Sequence, residues 1–260
     1  MTDALQIVTP DGTFNCLVEG EGEPLLLLHG LGTSSELWRE AITELEPRFQ
    51  VVAPDTLSHG GSSPPRTLFT ISHHAESMFR LLDTLGLNRV AIAGNSMGAQ
   101  IALEMAATQP HRVSRVISVG CPAWGTETER LNYLTMRSAM FGADGMQRLA
   151  GEPDLSGSVP EPDSTAGGGP RGDLGIWYLN SLWAVATYDV VPRLPQITSP
   201  ALVVYGSDDW LLPTASTLLR GLRQVEQETI QDGGHLVPRL KPKELAHSIN
   251  RFVAEGVATS

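Results

Sequence analysis

A serine and a histidine stand at positions where they could together perform nucleophilic catalysis. Ser96 is the centre of a Gly-x-Ser-x-Gly motif at residues 94–98. A serine hydroxyl attacks well only when a base takes its proton, and histidine has an ordinary pKa that suits this work near neutrality. His235 is the best base, because it lies in a loop between a β-like run and the last helical pattern. The pattern predicts Ser96 as nucleophile and His235 as base.

The other histidines have weaker settings for this role. His73, His74 and His247 lie within helical patterns, where solvated side chains are expected. His111 follows a proline in a loop and has no partner signal, and His29 is expected to be structural. His235 therefore stays the candidate base.

A carboxylate is needed to hold the imidazole in one tautomer and to stabilise its cation. Asp208 and Asp209 directly follow the apolar run at residues 201–205. On the residues alone, either carboxylate could turn toward His235. Both choices give the chain order serine, aspartate, histidine, one of three orders found among serine triads.

The sequence around Ser96 supports a functional serine. The motif lies between a predicted strand at residues 90–93 and a predicted helix at residues 98–108. A serine on such a sharp turn has its hydroxyl held up out of the sheet, and the flanking glycines avoid collisions with neighbouring backbone. The alternative is a glycine-rich helix start with Ser96 as an ordinary N-cap.

Two backbone N–H groups are candidates for stabilising an oxyanion. One is the N–H of Met97, the residue after the nucleophile. The other is the N–H of Leu31, in a glycine-containing loop directly after the apolar run at residues 25–28. One such donor contributes about 3 kcal/mol to transition-state stabilisation. A plain tight turn is the alternative for the loop.

Alternating strands and helices must position these groups. Apolar runs on both faces predict buried parallel strands, and an Asp-Gly dipeptide at residues 11–12 predicts an antiparallel hairpin before them. Helical patterns follow the strands. The predicted buried strands are residues 24–28, 49–53, 90–93, 113–119 and 201–205, and the predicted helices are residues 71–85, 98–108 and 242–256.

The pattern changes in the middle of the chain. Residues 121–198 contain helical stretches at 127–141 and 174–187, with a Gly/Pro-rich loop between them. We interpret residues 121–198 as an inserted cap, and residues 1–120 and 199–260 as the core, because a strand resumes after the insertion.

Composition limits the partners of the chain. The formal net charge is −11 over 260 residues, which argues against nucleic acid or an anionic membrane as the main partner. A small-molecule substrate fits better, and homo-oligomerisation stays open.

Cys16 and Cys121 lie in apolar runs and are expected to be buried thiols in a reducing compartment. The N-terminus lacks a signal-peptide pattern, so a cytoplasmic protein is expected.

These motifs together resemble the α/β-hydrolase superfamily over nearly the whole chain. The matches are His29-Gly30-Leu31-Gly32 and residues 55–62, 94–98, 206–209 and 234–235. The resemblance implies a mostly parallel twisted sheet with helices on both faces and a small inserted helical cap. It selects Asp209 over Asp208, because the acid of that group lies three residues after the glycine. It implies no metal and no cofactor.

The resemblance is less specific for the reaction. The chain is similar to short-cap esterases and lactonases, which implies cleavage of a carboxylic ester or lactone through an acyl-enzyme. Residues 95–98 also resemble hydrolases that cleave carbon–carbon bonds in ring-fission products, although Leu236 stands where those enzymes have tryptophan. A ligand receptor is the third alternative, since fold alone does not determine function.

Several residues are candidates for a substrate pocket above Ser96. Aromatic side chains in this region would favour a small, largely apolar substrate, and ordinary packing of the cap on the core is the alternative. The candidate pocket residues are Gly30, Trp124, Trp177, Trp183, Trp210 and Leu236.

Overall fold

The computed structural model describes residues 4–139 and 175–254. Its strands form one eight-stranded sheet with the order β1-β2-β4-β3-β5-β6-β7-β8. The strands are β1 (Leu5–Thr9), β2 (Gly12–Glu19), β3 (Glu23–Leu28), β4 (Phe49–Pro54), β5 (Val90–Asn95), β6 (Val113–Val119), β7 (Ala201–Gly206) and β8 (Val225–Ile230).

The strands from β3 to β8 are parallel, and this confirms the predicted sheet. Each of the five runs predicted as buried strands lies within an observed strand. The predicted antiparallel start is also confirmed, since β1 pairs with β2 from Thr9↔Gly12 onward and β2 pairs antiparallel with β4. The carboxyl ends of the parallel strands therefore meet at one edge of the sheet, where sites of this architecture are built.

Helices cover both faces of the sheet, as predicted. The α-helices are α1 (Arg39–Leu45), α2 (Ile71–Thr84), α3 (Met97–Thr108), α4 (Glu127–Ala139), α5 (Gly175–Thr187), α6 (Ala215–Gly221), α7 (Val237–Leu240) and α8 (Pro242–Ala254). Short 3-10 helices cover Ser35–Trp38, Pro110–Arg112, Val191–Gln196 and Leu212–Thr214.

Alternate strand residues face two separate apolar layers. Leu26, for example, joins the layer with α2 and α3, and its neighbour Leu27 joins the layer with α1 and α8. This arrangement follows from the period of two in a strand. It explains why a run such as residues 25–28 is apolar at consecutive positions, which was the signal for a parallel sheet.

The predicted helices α2 and α3 are confirmed within one residue, and α8 is confirmed over residues 242–254, the part of its predicted range that lies within the described residues. The short helices α1, α6 and α7 were not predicted. In α1, for instance, Ala41, Ile42 and Leu45 are buried, but two turns offer too few residues for a clear helical period.

Helices α4 and α5 lie between β6 and β7 in the chain and overlap the two helical stretches expected in the cap. The Gly/Pro-rich loop expected between them falls mainly on residues 140–174, which lie outside the described residues. The boundaries of the predicted cap stay a prediction.

Hydrogen bonds tie α5 to the rest of the fold. The side-chain amide of Asn180 accepts from Phe69 N at 2.9 Å and donates to Phe69 O at 3.0 Å. Gln100 of α3 donates to the carbonyl oxygens of Pro122 (2.9 Å) and Val185 (3.2 Å). Both side chains are buried, so α5 is held on the sheet side that carries α2 and α3. In the described part of the chain, no helix is long and apolar enough to cross a membrane.

Candidate active site

Ser96 lies at the turn between β5 and α3, at the carboxyl edge of the sheet. Its backbone has φ 55° and ψ −114°, a left-handed region that non-glycine residues rarely occupy. Its N–H donates to Val119 O of the neighbouring strand at 2.9 Å. Such strain is typical of functional sites, where the surrounding structure holds a side chain in a required position.

The glycines on either side of Ser96 permit this turn. A Cβ added to Gly94 would overlap the carbonyl oxygen of Gly98, and a Cβ added to Gly98 would overlap that of Leu28. The helix start can therefore approach both β5 and β3 only if these positions are glycine. The requirement inferred from the motif has this steric basis.

The structure brings Ser96, His235 and Asp209 together. His235 Nε2 lies 3.0 Å from Ser96 Oγ, and His235 Nδ1 lies 3.1 Å from both carboxylate oxygens of Asp209. The three residues come from the ends of β5, β8 and β7 and are far apart in the chain. The carboxylate is fully buried and the imidazole is partly exposed.

The two neighbouring aspartates have different surroundings. Asp209 is buried, faces His235, and also accepts from Leu211 N at 2.9 Å. Asp208 is exposed, and its carboxylate accepts from Ser207 Oγ at 3.1 Å. The tight turn after β7 separates them, since Asp209 N donates to Gly206 O at 3.2 Å.

Asn95 is a buried residue of this site that the sequence analysis did not select. Its side-chain Nδ2 donates to His235 O at 3.1 Å and to Val119 O at 3.3 Å. It therefore ties the loop of the histidine to the strand of the serine across 140 residues of chain. Asn95 occupies an x position of the Gly-x-Ser-x-Gly motif. The motif does not specify a residue type there, so it gives no signal for this contact.

The loop after β3 is clamped at Gly30, whose carbonyl oxygen accepts from Thr33 Oγ1 (2.8 Å) and Thr33 N (3.2 Å). The backbone N–H of Thr56 donates to His29 Nε2 at 2.9 Å. Because a backbone N–H can only donate, Nε2 must be the acceptor in this bond. The proton of this imidazole is therefore on Nδ1, which donates to Gly30 O at 2.8 Å. Burial lowers the pKa of His29, so the ring is neutral.

The clamp sets the direction of the next N–H group. In a trans peptide, the N–H points opposite to the carbonyl of the same unit, and the described residues contain no cis bond. The N–H of Leu31 therefore points away from Thr33 and His29.

Gly30 itself packs beside Ser96, since a Cβ on it would lie 3.2 Å from Ser96 Cβ. Met97 is the first residue of α3, so its N–H has no intrahelical partner.

The candidate pocket residues have different surroundings. Trp210 is half exposed beside His235, at 6.0 Å between ring centroids. Trp124 is buried against Tyr133 at 4.4 Å. Trp177 and Trp183 lie on α5, the first half-buried and the second exposed. Leu236 packs partly on the apolar layer that contains α1 and α8.

A third aromatic residue of α5 contacts the loop after β3. The ring of Tyr178 lies against Gly32, where an added Cβ would come within 2.9 Å of Tyr178 Cε2. Gly32 has φ 70°, a backbone conformation that favours glycine. Helix α5 therefore helps to shape the space next to the candidate oxyanion donors.

Three histidines, His29, His59 and His74, are buried, and for His74 this contradicts the expectation of a solvated side chain. His74 lies on the core face of α2, while His73 and His247 are exposed. Among the described residues, neither ring nitrogen of His74 has a hydrogen-bond partner. Burial lowers the pKa of His29, His59 and His74, for His74 to about 3.

These buried rings predict acid sensitivity of the fold. Unfolded histidines bind protons below about pH 6.5 while the folded rings stay neutral, so stability falls as the pH decreases. We expect His74→Phe to reduce the slope of unfolding free energy against pH, between about pH 5 and 6, by about 1 kcal/mol per pH unit. Urea unfolding at several pH values measures this slope.

The matched control for this prediction is His247→Phe, which changes an exposed histidine. An equal loss of slope in that variant would contradict the assignment to burial. An unchanged slope in His74→Phe would contradict it as well.

The cysteines are buried thiols, as predicted for Cys16 and Cys121. Burial raises the pKa of each to about 12, so both are protonated and unreactive at neutral pH. Within the described residues, no group of three or more histidine, cysteine or acidic side chains is arranged to hold a metal ion. That the chain works without metal or cofactor stays a prediction.

Comparison with known proteins identifies the family. The family model of the alpha/beta hydrolase fold matches residues 23–153, just over half of the chain. The enol-lactonase of Burkholderia xenovorans LB400 superposes with a TM-score of 0.77 at 22% identity, over 96% of this chain and 100% of that one. At this identity the likeness shows the fold alone.

Two sequence relatives are also informative. A Mycobacterium phage D29 protein, provisionally named a non-heme haloperoxidase, is 37% identical over 206 residues, which are 75% of this chain and 74% of that protein. An uncharacterized protein of Mycobacterium tuberculosis is 35% identical over 133 residues, or 51% of this chain. The match covers 38% of that protein, so the chain spans well under half of its length.

Proposed function

Since the chain belongs to the alpha/beta hydrolase family, we propose that it is a serine hydrolase that cleaves a carboxylic ester or lactone. The substrate is small and largely apolar, and the reaction passes through an acyl-enzyme. The observation that supports this most is the continuous hydrogen-bonded series from Asp209 through His235 to Ser96 Oγ.

In the first half of the reaction, Ser96 Oγ attacks the carbonyl carbon while its proton passes to His235 Nε2, 3.0 Å away. Asp209 accepts from Nδ1 and stabilises the imidazolium that forms. The tetrahedral intermediate then collapses, the bond from the acyl carbon to the leaving oxygen breaks, and His235 gives its proton to that oxygen. The product is an alcohol and an acyl group on Ser96.

Water completes the reaction by the same steps. His235 takes a proton from the water, the hydroxide oxygen bonds to the acyl carbon, and the bond to Ser96 Oγ breaks as the proton returns to this oxygen. The products are the carboxylic acid and the free serine. The two halves together use groups of this chain and consume one water molecule, in the second half.

The N–H groups of Leu31 and Met97 form the oxyanion hole in this proposal. The clamp on Gly30 O supports the first role, because it fixes the peptide plane before substrate arrives. The start of α3 supports the second, since the positive end of a helix dipole favours a developing negative charge. Such preorganised donors need no rearrangement during the reaction.

The aromatic residues near His235 and the oxyanion loop support an apolar substrate. Trp210 lies beside His235, and Tyr178 lies against Gly32. Aromatic rings give large contact areas without strong charge selectivity.

A fluorophosphonate probe tests the proposed nucleophile. We expect one adduct, located on Ser96 by peptide mass spectrometry, because the phosphorus centre traps an activated serine. We also expect His235→Gln to label far more slowly, because its Ser96 lacks a base. Labelling of another residue, or equal labelling of the heat-denatured chain, would overturn the proposal.

The bond cleaved is tested by offering an aryl ester and a ring-fission dienoate side by side. The proposal expects turnover of the ester and little of the dienoate. Faster turnover of the dienoate would instead favour carbon–carbon bond hydrolysis by the same residues.

A further inference from the structure

Trp210 directly follows Asp209, and the same turn fixes both residues. Asp209 accepts from Leu211 N at 2.9 Å, and Leu212 N donates to Asp209 O at 2.9 Å. Leu211 is buried in the core, whereas Trp210 is 51% exposed. The turn that orients the carboxylate toward His235 therefore also presents the indole to solvent.

The indole stands between His235 and helix α4. Its ring centroid is 6.0 Å from the imidazole with planes at 50°, and 5.9 Å from Tyr133 with planes at 14°. Tyr133 in turn packs on Trp124 at 4.4 Å. Trp210 is thus held by stacking on one side, while half of its surface stays available for another molecule.

The reaction geometry decides which part of a substrate reaches this surface. His235 must deliver its proton to the leaving oxygen, so the alcohol portion of an ester lies against the imidazole. The acyl oxygen lies on the other side, next to the oxyanion loop at Gly30, Leu31 and Gly32. The indole adjoins His235 and is therefore nearest to the alcohol portion.

We propose that Trp210 is a specificity-determining residue that selects esters whose alcohol portion carries an aromatic or flat apolar group. This inference rests on the proposed ester hydrolysis. Contact of an aromatic alcohol with the exposed half of the indole removes apolar surface from water and adds ring–ring interaction. The acyl portion gains nothing from the same side chain.

Two ester series separate the two sides of the substrate. The first keeps the acetyl group and varies the alcohol from methanol to benzyl alcohol and 2-naphthylmethanol. The second keeps the methyl group and varies the acid from acetic to phenylacetic and 2-naphthylacetic acid. Benzyl-type alcohols keep the leaving oxygen on a saturated carbon, so its basicity varies less than in a phenol series.

We expect Trp210→Ala to lower kcat/KM for the benzyl and naphthylmethyl acetates by about 10- to 100-fold. Methyl acetate and the whole acid series should change by less than about twofold. Trp210→Phe, which keeps an aromatic ring, should recover most of the loss. Leu5→Ala, which removes an equally exposed apolar side chain from β1, is the matched control and should follow the wild type.

A binding measurement gives a readout that does not depend on turnover. By calorimetry, 2-naphthylmethanol should bind the wild type more tightly than Trp210→Ala, and 2-naphthylacetate should bind both equally. The inference is overturned if Trp210→Ala lowers both ester series equally, or lowers the acid series alone. If the wild type cleaves no ester, the proposed function fails, and the inference about its leaving group fails with it.

Discussion

Replacing Ser96 by alanine is expected to lower kcat/KM for an aryl ester by about 10⁴-fold or more. The variant keeps the proposed oxyanion donors and the proposed pocket, so a small residual rate above water is expected. A 10⁴-fold loss corresponds to about 5.5 kcal/mol of transition-state stabilisation. Because alanine and serine share a Cβ, the strained backbone at this position is affected little, and the thermal midpoint should stay near that of the wild type.

Ser58 provides a matched control for this replacement. It is also a serine with a left-handed backbone, at φ 72°, in the loop after β4. We expect Ser58→Ala to keep wild-type kcat/KM, measured with the same ester under the same conditions. A Ser96→Ala variant that retains more than about a tenth of the activity would contradict a nucleophilic role for this residue.

Replacing Asp209 by asparagine is expected to reduce kcat by about 10³- to 10⁴-fold. Asparagine can keep the bond from Leu211 N through its carbonyl oxygen, and this turns its NH₂ group toward His235 Nδ1. An NH₂ group only donates, and its position lies 3.1 Å from Nδ1, so the tautomer in which Nδ1 accepts and the imidazole proton lies on Nε2 is favoured. In that tautomer Nε2 cannot take the proton of Ser96, although the geometry is nearly unchanged.

Asp208 allows a close comparison, because it is the same residue type one position earlier. Asp208 is exposed and contacts Ser207, so Asp208→Asn should change kcat by less than about twofold. The test compares kcat of the two variants by steady-state kinetics, and thermal melts confirm that both are folded. Equal losses in the two variants would contradict the assignment of Asp209 as the orienting acid.

Much of the fold was predictable from local patterns. Apolar runs on both faces identified the five central strands of the sheet, and the Asp-Gly turn identified the hairpin of β1 and β2. These signals are strong because a parallel strand is buried on both faces, and this leaves no polar alternation. Helix α1 was missed since two turns carry too little periodicity.

Burial was less predictable than secondary structure. His74 was expected in solvent and is buried, because it follows Ile71 by three residues and therefore shares the core face of α2. The expectation treated each histidine within a helical pattern as solvated, whereas the position on the helix determined which face His74 occupies.

The sequence by itself determined the family, the sheet and the choice of the candidate serine and histidine, while the resemblance to the family was needed to choose Asp209 over Asp208. Residue type and order suffice for the serine, since a strained serine turn needs glycines at fixed neighbouring positions. Only the tertiary structure decided the distances from His235 to Ser96 and Asp209, the clamp on Gly30, and the contact of Asn95 with His235. It also placed Trp210 beside the imidazole. Apart from the clamp on Gly30, which lies within one loop, these contacts join residues far apart in the chain, so no local pattern can report them.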